Sequence, residues 1–185
     1  MDEVKIFSFF FFHSYSLIVG DLFFLVGTFS EIYLAEDIHK PENAVAIKVQ
    51  TSNVESNVLK WEIHVLKSMQ DEITVPRFIS SGSFEDKEYL IMELLTGEVV
   101  SNLRNRIRNT SSSGLVPIHL ASFMARQMLK AIQNLHKHGY IHRDIKPSNF
   151  VRKNNDSTQF VMIDFGLAKQ VNWWFLNSFF LSSSF

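Results

Sequence analysis

The sequence YIHRDIKPSNF, at positions 140–150, places Arg143, Asp144 and Lys146 within four residues and adds Asn149 three positions later. Apolar residues flank these polar side chains on both sides. A solvated charged turn is the simple alternative, but such a turn does not need apolar flanks. Electrostatic forces strengthen where water is excluded, so charges in a rigid and partly dry loop act strongly on a ligand. The stretch therefore predicts a chemically active loop within an ordered fold.

Two shorter pieces lie on either side of this loop in the chain. VAIK, at positions 45–48, places Lys48 in a β-branched stretch that predicts a strand. DFG, at positions 164–166, places Asp164 at the end of the apolar run that begins at Phe160. Each piece alone is weak, because matches of three or four letters arise by chance. Their order along the chain, and the element expected for each, make the set specific.

Hydrophobic periodicity divides the middle of the chain into strands first and helices later. Alternation predicts a hairpin of strands at 31–37 and 44–50, joined by a turn at 39–43. The other predicted elements are a helix at 54–69, strands at 77–81 and 88–94 around a polar turn at 81–87, a helix at 101–109, a loop at 110–114, a helix at 118–138 ended by Gly139, and a strand at 160–164. We therefore expect an α+β fold, with a β-rich lobe that joins the beginning of an α-rich lobe near 94–97.

The helix at 118–138 has the clearest amphipathic pattern in the chain. Its apolar residues recur at spacings of three and four, which places them on one face. The predicted buried face consists of Leu120, Phe123, Met124, Met128, Ile132 and Leu135. Any part of this face that stays uncovered is expected to cause aggregation.

Composition and charge narrow the classes of function. The chain has 185 residues, enough for one domain or a part of one, and its net charge is -1. This net charge gives no indication of binding to nucleic acid or to an anionic membrane. The absence of cysteine excludes disulfides and cysteine-based sites, and it fits a reducing compartment such as the cytoplasm.

The two ends of the chain differ in composition from the middle. Of 18 Phe residues, eight lie at 1–29 and four at 171–185, and the latter segment has no charged residue. The apolar run at 6–26 is interrupted by His13, Gly20 and Asp21, which disfavours a membrane helix or an export signal, although both remain alternatives to a strand-forming leader. We interpret both ends as atypical, and we hypothesise that they are translated non-coding sequence.

The motifs together resemble the eukaryotic protein kinases. Within that family the chain is similar to the casein kinase 1 superfamily and most of all to its tau-tubulin kinase branch. The similarity rests on HRDIKPSNF, IDFGLAKQ, LKWEIHVLKSMQ, VPRFISSG and IMELLTGEVVSNLR. It covers residues 25–170, with an N-lobe at about 25–95 and the start of a C-lobe at about 96–170, between an apolar leader at 1–24 and an apolar tail at 171–185.

The resemblance implies ATP and Mg²⁺ as cofactors, and the residue types suit the chemistry. The phosphates carry negative charges that repel an incoming hydroxyl group, so fixed cations and metal ions must offset that repulsion. Carboxylate and amide oxygens are suitable Mg²⁺ ligands. The implied catalytic residues are Asp144 as the base, Lys146 as the phosphoryl stabiliser and Asn149; the metal ligands are Asn149 and Asp164; and the ATP-binding residues are Lys48, its helical partner Glu62, Gly27 of the glycine-rich loop, Met92 as the gatekeeper, and Glu93 and Leu95 of the hinge.

The implied function is serine/threonine protein kinase activity, because Lys146 lies two residues after the catalytic base. Protein hydroxyl groups would be the acceptors, with cytoskeletal proteins among the candidates, and nucleic acid and membranes are not expected partners. The oligomeric state stays open. In the glycine-rich loop only Gly27 is retained, and the sequence continues for 19 residues after Gly166. We therefore also expect an incomplete domain, with a catalytically inactive binding module as the alternative function.

Overall fold

A computed structural model describes residues 7–12, 15–26, 30–37, 40–51, 57–84 and 86–171. The chain divides into two compact units. The first consists of residues 1–70 and 76–96, and the second consists of residues 71–75 and 97–185. The short segment at 71–75 therefore belongs to the second unit although it lies within the sequence of the first.

The first unit is built on a six-stranded antiparallel sheet with one helix. Its strand order is β1-β2-β3-β4-β6-β5. The elements are β1 (Phe7–Phe12), β2 (Tyr15–Val26), β3 (Ser30–Asp37), β4 (Lys40–Gln50), α1 (Val58–Ser68), β5 (Phe78–Phe84) and β6 (Lys87–Glu93). The apolar leader contributes β1 and β2, which extend the sheet beyond β3.

Side-chain alternation along β4 separates the core of the sheet from the face that carries a charged residue. Val45 and Ile47 pack with Ala35 of β3 and with Ile91 of β6 in the hydrophobic core cluster. Because successive residues of a strand point to opposite faces, Lys48 faces away from that cluster. The period of two that predicted the strand thus also determines the face on which Lys48 lies.

The second unit combines two helices with short strand pairs. Met162 donates its backbone N–H to the carbonyl of Thr74 at 2.8 Å, which joins the segment 71–75 to this unit. Phe150, Phe160 and Leu135 are fully buried in its core. The elements are α2 (Val100–Thr110), α3 (Ile118–Lys137), β7 (Tyr140–Ile141), a 3-10 turn (Pro147–Asn149), β8 (Phe150–Arg152), β9 (Phe160–Met162) and β10 (Lys169–Gln170), with β7 paired to β10 and β8 paired to β9.

The structure agrees with the predicted order of elements and corrects several of their limits. The turn expected at 39–43 is wrong, because β4 begins at Lys40, which pairs with Asp37. The polar turn expected at 81–87 is also shorter, since Phe84 pairs with Lys87 and most of the segment is strand. Helix α3 ends as predicted before Gly139, which adopts the left-handed φ of +79° that favours glycine.

The predicted buried face of α3 is correct in part. Met124 and Leu135 are buried, and the other predicted positions are half-buried. Ala131 and Asn134, which the apolar pattern did not include, are buried more completely. Within the described ranges, none of the helices is both long enough and apolar enough to span a bilayer.

Candidate active site

Lys48 and Glu62 form a buried ion pair in the first unit. Lys48 lies on β4 and Glu62 lies on α1, and Lys48 Nζ donates to Glu62 Oε2 at 2.7 Å. The side chains are only 10% and 5% exposed. A buried charge is costly without a partner, so this contact stabilises both groups in the interior. The sequence placed both residues in the ATP-binding set, and the structure brings them together.

The predicted gatekeeper and hinge residues follow one another at the end of β6. Met92 pairs with Ala46 of β4 on one side and with Phe78 of β5 on the other, so its backbone lies within the sheet. Glu93 is the last residue of β6 and donates its N–H to the carbonyl of Arg77 at 2.9 Å. Leu95 follows the strand and is half-buried. Gly27, the predicted residue of the glycine-rich loop, lies outside the described residues.

The loop between β7 and β8 gathers three of the predicted catalytic side chains. Lys146 Nζ donates to Asp144 Oδ2 at 2.6 Å. The buried amide of Asn149 donates to the same carboxylate oxygen at 3.1 Å and to the backbone carbonyl of Asp144 at 2.8 Å. Asp144 is therefore held by a cation and by an amide, both within five residues of it in the sequence.

The same contacts set the protonation of the pair. The hydrogen bond from Lys146 lowers the pKa of the Asp144 carboxyl below its ordinary value, and the amide of Asn149 lowers it further. Reciprocally, the hydrogen bond to Asp144 raises the pKa of the Lys146 ammonium. At neutral pH, Asp144 is thus an ionised carboxylate and Lys146 is a cation. An ionised carboxylate is the form that can accept a proton from a hydroxyl group.

His142 holds this loop against the segment that follows β9. Its Nδ1 accepts the backbone N–H of Asp144 at 3.3 Å, and its Nε2 therefore carries the proton that is donated to the carbonyl of Ile163 at 3.1 Å. The ring is buried and contacts Phe165, with centroids 5.6 Å apart. The sequence prediction assigned His142 no role. The signal that could have found it is a histidine placed between an apolar strand and a charged loop.

Two residues near the site have backbone conformations that are rare for side-chain-bearing residues. Arg143 has a φ of +66° and Asp164 has a φ of +68°. Such conformations cost about 1–3 kcal/mol each and persist where surrounding contacts hold them. Arg143 Nε donates to the carbonyl of Leu167 at 2.6 Å, and this bond joins the two strained segments.

Asn149 and Asp164 are the predicted metal ligands, and the second unit contains both. Ile163 donates its N–H to the carbonyl of Asn149 at 3.0 Å, so Asp164 follows directly after a residue bonded to Asn149. In the described part of the chain, no three His, Asp or Glu side chains form a metal-binding cluster. Two oxygen donors still suit Mg²⁺, which takes one or two protein ligands together with phosphate oxygens and waters.

Comparison with known proteins identifies the family. The protein kinase domain family matches residues 26–185. The chain belongs to the protein kinase family. It is 38% identical over 146 residues to a probable serine/threonine-protein kinase of Dictyostelium discoideum. The aligned region covers 78% of this chain and 28% of that protein. It is also 36% identical over 149 residues to a calcium/calmodulin-dependent protein kinase type 1 of Macrobrachium nipponense. The aligned region covers 77% of this chain and 41% of that protein.

The kinase assignment confirms the predicted fold class. A β-sheet unit followed by a unit with helices is the α+β arrangement expected from the sequence, and protein kinase domains in general use ATP and Mg²⁺. The chain spans less than half the length of these two relatives. We therefore propose, below, the activity of the chain, its substrates and the roles of individual residues.

Proposed function

We propose that the chain performs Mg²⁺-dependent transfer of the ATP γ-phosphoryl group to serine or threonine hydroxyls of proteins. The observation that carries the proposal is the cluster of Asp144, Lys146 and Asn149, in which an ionised carboxylate is held by a cation and by an amide. The buried pair of Lys48 and Glu62 supports it, because an isolated lysine would not be stable at such a position.

Each residue has a role that its contacts permit. Lys48, oriented by Glu62, is proposed to bind the α- and β-phosphates. Asp144 accepts the proton of the acceptor hydroxyl, and Lys146 stabilises the charge on the transferred group. Asn149 donates its amide hydrogens to Asp144, so its carbonyl oxygen is available as a metal ligand.

The metal and nucleotide contacts complete the proposed assignment. Asp164, which directly follows the residue whose N–H bonds to the carbonyl of Asn149, is proposed as the carboxylate ligand. When bound, Mg²⁺ neutralises charge on the phosphate oxygens. Met92 is proposed as the gatekeeper, Glu93 and Leu95 as the hinge that binds adenine, and Gly27 as the glycine of the loop that approaches the phosphates.

We further propose that the protein belongs to the casein kinase 1 superfamily, near its tau-tubulin kinase branch. The support is the set of sequence matches around the catalytic loop and the DFG segment, together with LKWEIHVLKSMQ at 59–70. Protein substrates, with cytoskeletal proteins as candidates, follow from that placement. The domain limits of 25–95 and 96–170 for the two lobes also stay a proposal. The relatives are named as kinases, which gives no support to an inactive binding module.

A phosphate-transfer assay with casein and tubulin as acceptors tests the function. We expect Mg²⁺-dependent incorporation of phosphate by the full chain, and a loss of at least about a hundredfold in the Asp144→Asn variant. Asp156→Asn, in an exposed loop, is the matched control and should retain activity. ATP binding without turnover would favour the inactive module, and no binding of Mg²⁺–ATP by a folded chain would overturn the proposal.

A further inference from the structure

The chain between Glu98 and Asp144 contains no acidic residue. Its cations in that interval are Arg104, Arg106, Arg108, Arg126, Lys130, Lys137 and Arg143. Three of them lie on α2, in the sequence RNRIRNTSSSG at 104–114, which leads directly into a run of hydroxyl side chains. Positive local charge of this kind favours an anion. The proposed kinase chemistry uses no residue of α2 or of the loop that follows it.

The hydroxyl groups after α2 lie within reach of an arginine. Ser111 Oγ and Ser113 Oγ are 2.9 Å apart, and Ser112 and Ser113 are exposed. Arg108 Nε donates to the carbonyl of Gly114 at 3.3 Å, so its guanidinium group lies beside the loop. This distance is longer than that of a usual N–H···O hydrogen bond, so the bond is weak. The guanidinium group could therefore exchange this carbonyl for a stronger acceptor.

The last turn of α2 contributes little to a core. Val100 is the buried residue of this helix, and it lies at the opposite end from the loop. Arg106 is held by Glu98, but in a pair whose side chains are 58% and 24% exposed, and surface ion pairs contribute little to stability. Helix ends fray readily, so residues 106–111 can open into an extended peptide.

In that extended form, the peptide presents arginines five and three positions before Ser111. Guanidinium groups pair bidentately with carboxylates, so an enzyme with acidic subsites at these two positions would bind the segment. We propose that Ser111 is a phosphorylation site for an arginine-directed serine/threonine kinase that uses Mg²⁺–ATP. This proposal does not depend on the chain having activity of its own.

The modification is an ordinary phosphoryl transfer. Ser111 Oγ forms a bond to the γ-phosphorus of ATP, the bond from that phosphorus to the bridging oxygen breaks, and ADP leaves with the electron pair. The hydroxyl proton passes to the base of the modifying kinase. The product carries an added charge of about -1.5 to -2 at neutral pH.

The phosphate would then pair with Arg108 when α2 closes again. Arg108 exchanges a neutral carbonyl acceptor for a charged one, and charge-assisted hydrogen bonds are about twice as strong as neutral ones. The carbonyl end of α2 disfavours a negative charge, but Arg104, one turn before Arg108, adds a second cation on the same face. Phosphorylation is thus expected to hold the loop at 111–114 against α2.

Labelling of the full chain tests the proposal. The purified chain is incubated with Mg²⁺–ATP and cyclic-AMP-dependent protein kinase, a parallel sample without that enzyme measures self-labelling, and the modified residue is identified by mass spectrometry. We expect one phosphate per chain at Ser111. Labelling should be lost in Ser111→Ala and return in Ser111→Thr, and Arg108→Ala should slow it at least about tenfold.

Matched controls separate recognition from loss of folding. Ser122→Ala and Arg126→Ala, both exposed positions on α3, should be labelled at the wild-type rate. Phosphorylation should also slow tryptic cleavage after Arg108 several-fold, while cleavage after Arg126 stays unchanged. Labelling that persists in Ser111→Ala, or an absence of label in a folded chain, would overturn the proposal. Unchanged cleavage after Arg108 would overturn the pairing with the phosphate.

Discussion

Two buried charges stabilise the fold only while both are present, and Lys48 and Glu62 are such a pair. We expect Lys48→Met or Glu62→Gln to lower the free energy of unfolding by about 3–5 kcal/mol, because each change removes the oppositely charged group 2.7 Å away from a charge that stays buried. The double variant Lys48→Met/Glu62→Leu should recover most of that loss, since no isolated charge remains. Urea unfolding, followed by circular dichroism, measures these differences.

The control for this pair is an ion pair on the surface. Lys60 Nζ lies 3.3 Å from Glu88 Oε1, and the Lys60 side chain is 59% exposed. Lys60→Met should change stability by less than about 1 kcal/mol. If the single variants of the buried pair cost no more than Lys60→Met, the ion pair would not be the reason that Lys48 is stable in the interior.

The Asp144 carboxyl offers a direct test of the catalytic-loop geometry. Its pKa is lowered mainly by Lys146, so replacing Lys146 with methionine should raise that pKa towards its ordinary value near 4. A carboxyl with a lowered pKa contributes stability above its unfolded-state value, and the contribution disappears as the pH falls through the folded-state value. The Lys146→Met variant should lose this contribution at neutral pH.

Carboxyl chemical shifts measured by nuclear magnetic resonance between about pH 2 and pH 7 give the Asp144 pKa directly. Lys137→Met, which removes an exposed cation from the end of α3, should leave the Asp144 titration unchanged. An equal titration in wild type and in Lys146→Met would contradict the contact between Lys146 Nζ and Asp144 Oδ2.

At the scale of elements, local periodicity was informative wherever one face of an element is buried. The alternation in β4 and the spacing in α3 both predicted the correct element. Strands β7, β8 and β10 have only two or three residues each, too few to show a period, and none of them was predicted. Their pairing depends on partners distant in the sequence, which local patterns cannot reveal.

In the candidate site, too, contacts between residues close in the sequence were predictable, and contacts between residues far apart in the sequence were not. Short motifs indicated the residue types, including Asp144 and Asn149, and these lie close enough in the sequence to meet in one loop. The positive φ of Arg143 was not predictable, because it is held by a carbonyl at Leu167. The buried position of Asn134 was likewise unexpected, since its amide bonds to Thr74 sixty residues earlier.

Gly97 tests how the strand pair β8–β9 is supported. A side chain at Gly97 would place its Cβ 2.3 Å from the carbonyl oxygen of Arg152, which is backbone and cannot rotate away. We expect Gly97→Ala to cost about 1–3 kcal/mol, as overpacking does elsewhere. Hydrogen exchange of the Arg152 amide, which donates to the carbonyl of Glu98 at 3.1 Å, should become faster.

Gly114 provides the contrast for Gly97. It has a φ of +66°, and a Cβ there would meet nothing within 4 Å. Gly114→Ala should therefore cost about 1–2 kcal/mol through backbone conformation alone, and it should leave exchange of the Arg152 amide unchanged. Equal exchange at Arg152 in both variants would show that the close approach at Gly97 does not support β8.

On the scale of the whole molecule, the second unit is formed from two separate segments of the chain, residues 71–75 and residues 97–185. The segment at 71–75 leaves the sequence of the first unit and is bonded within the second, through the carbonyl of Thr74 and the buried amide of Asn134. Glu72 also bonds to that amide, and His138 lies 3.7 Å from Glu72 Oε1. Polar contacts therefore place this short segment in the second unit, although the residues on both sides of it in the sequence belong to the first, and sequence order alone does not suggest this.

Exposed apolar side chains on the second unit determine its expected behaviour in solution. Leu115, Ile118 and Leu129 are 65%, 80% and 62% exposed, and exposed large apolar side chains favour association. We expect Leu129→Gln to reduce aggregation, measured by light scattering at increasing concentration, with little change in stability because the side chain already contacts water. Leu135→Gln, at a fully buried position on the same helix, should instead unfold the unit, since it buries a polar group without a partner. Equal aggregation of wild type and Leu129→Gln would place the cause of association outside this face of α3.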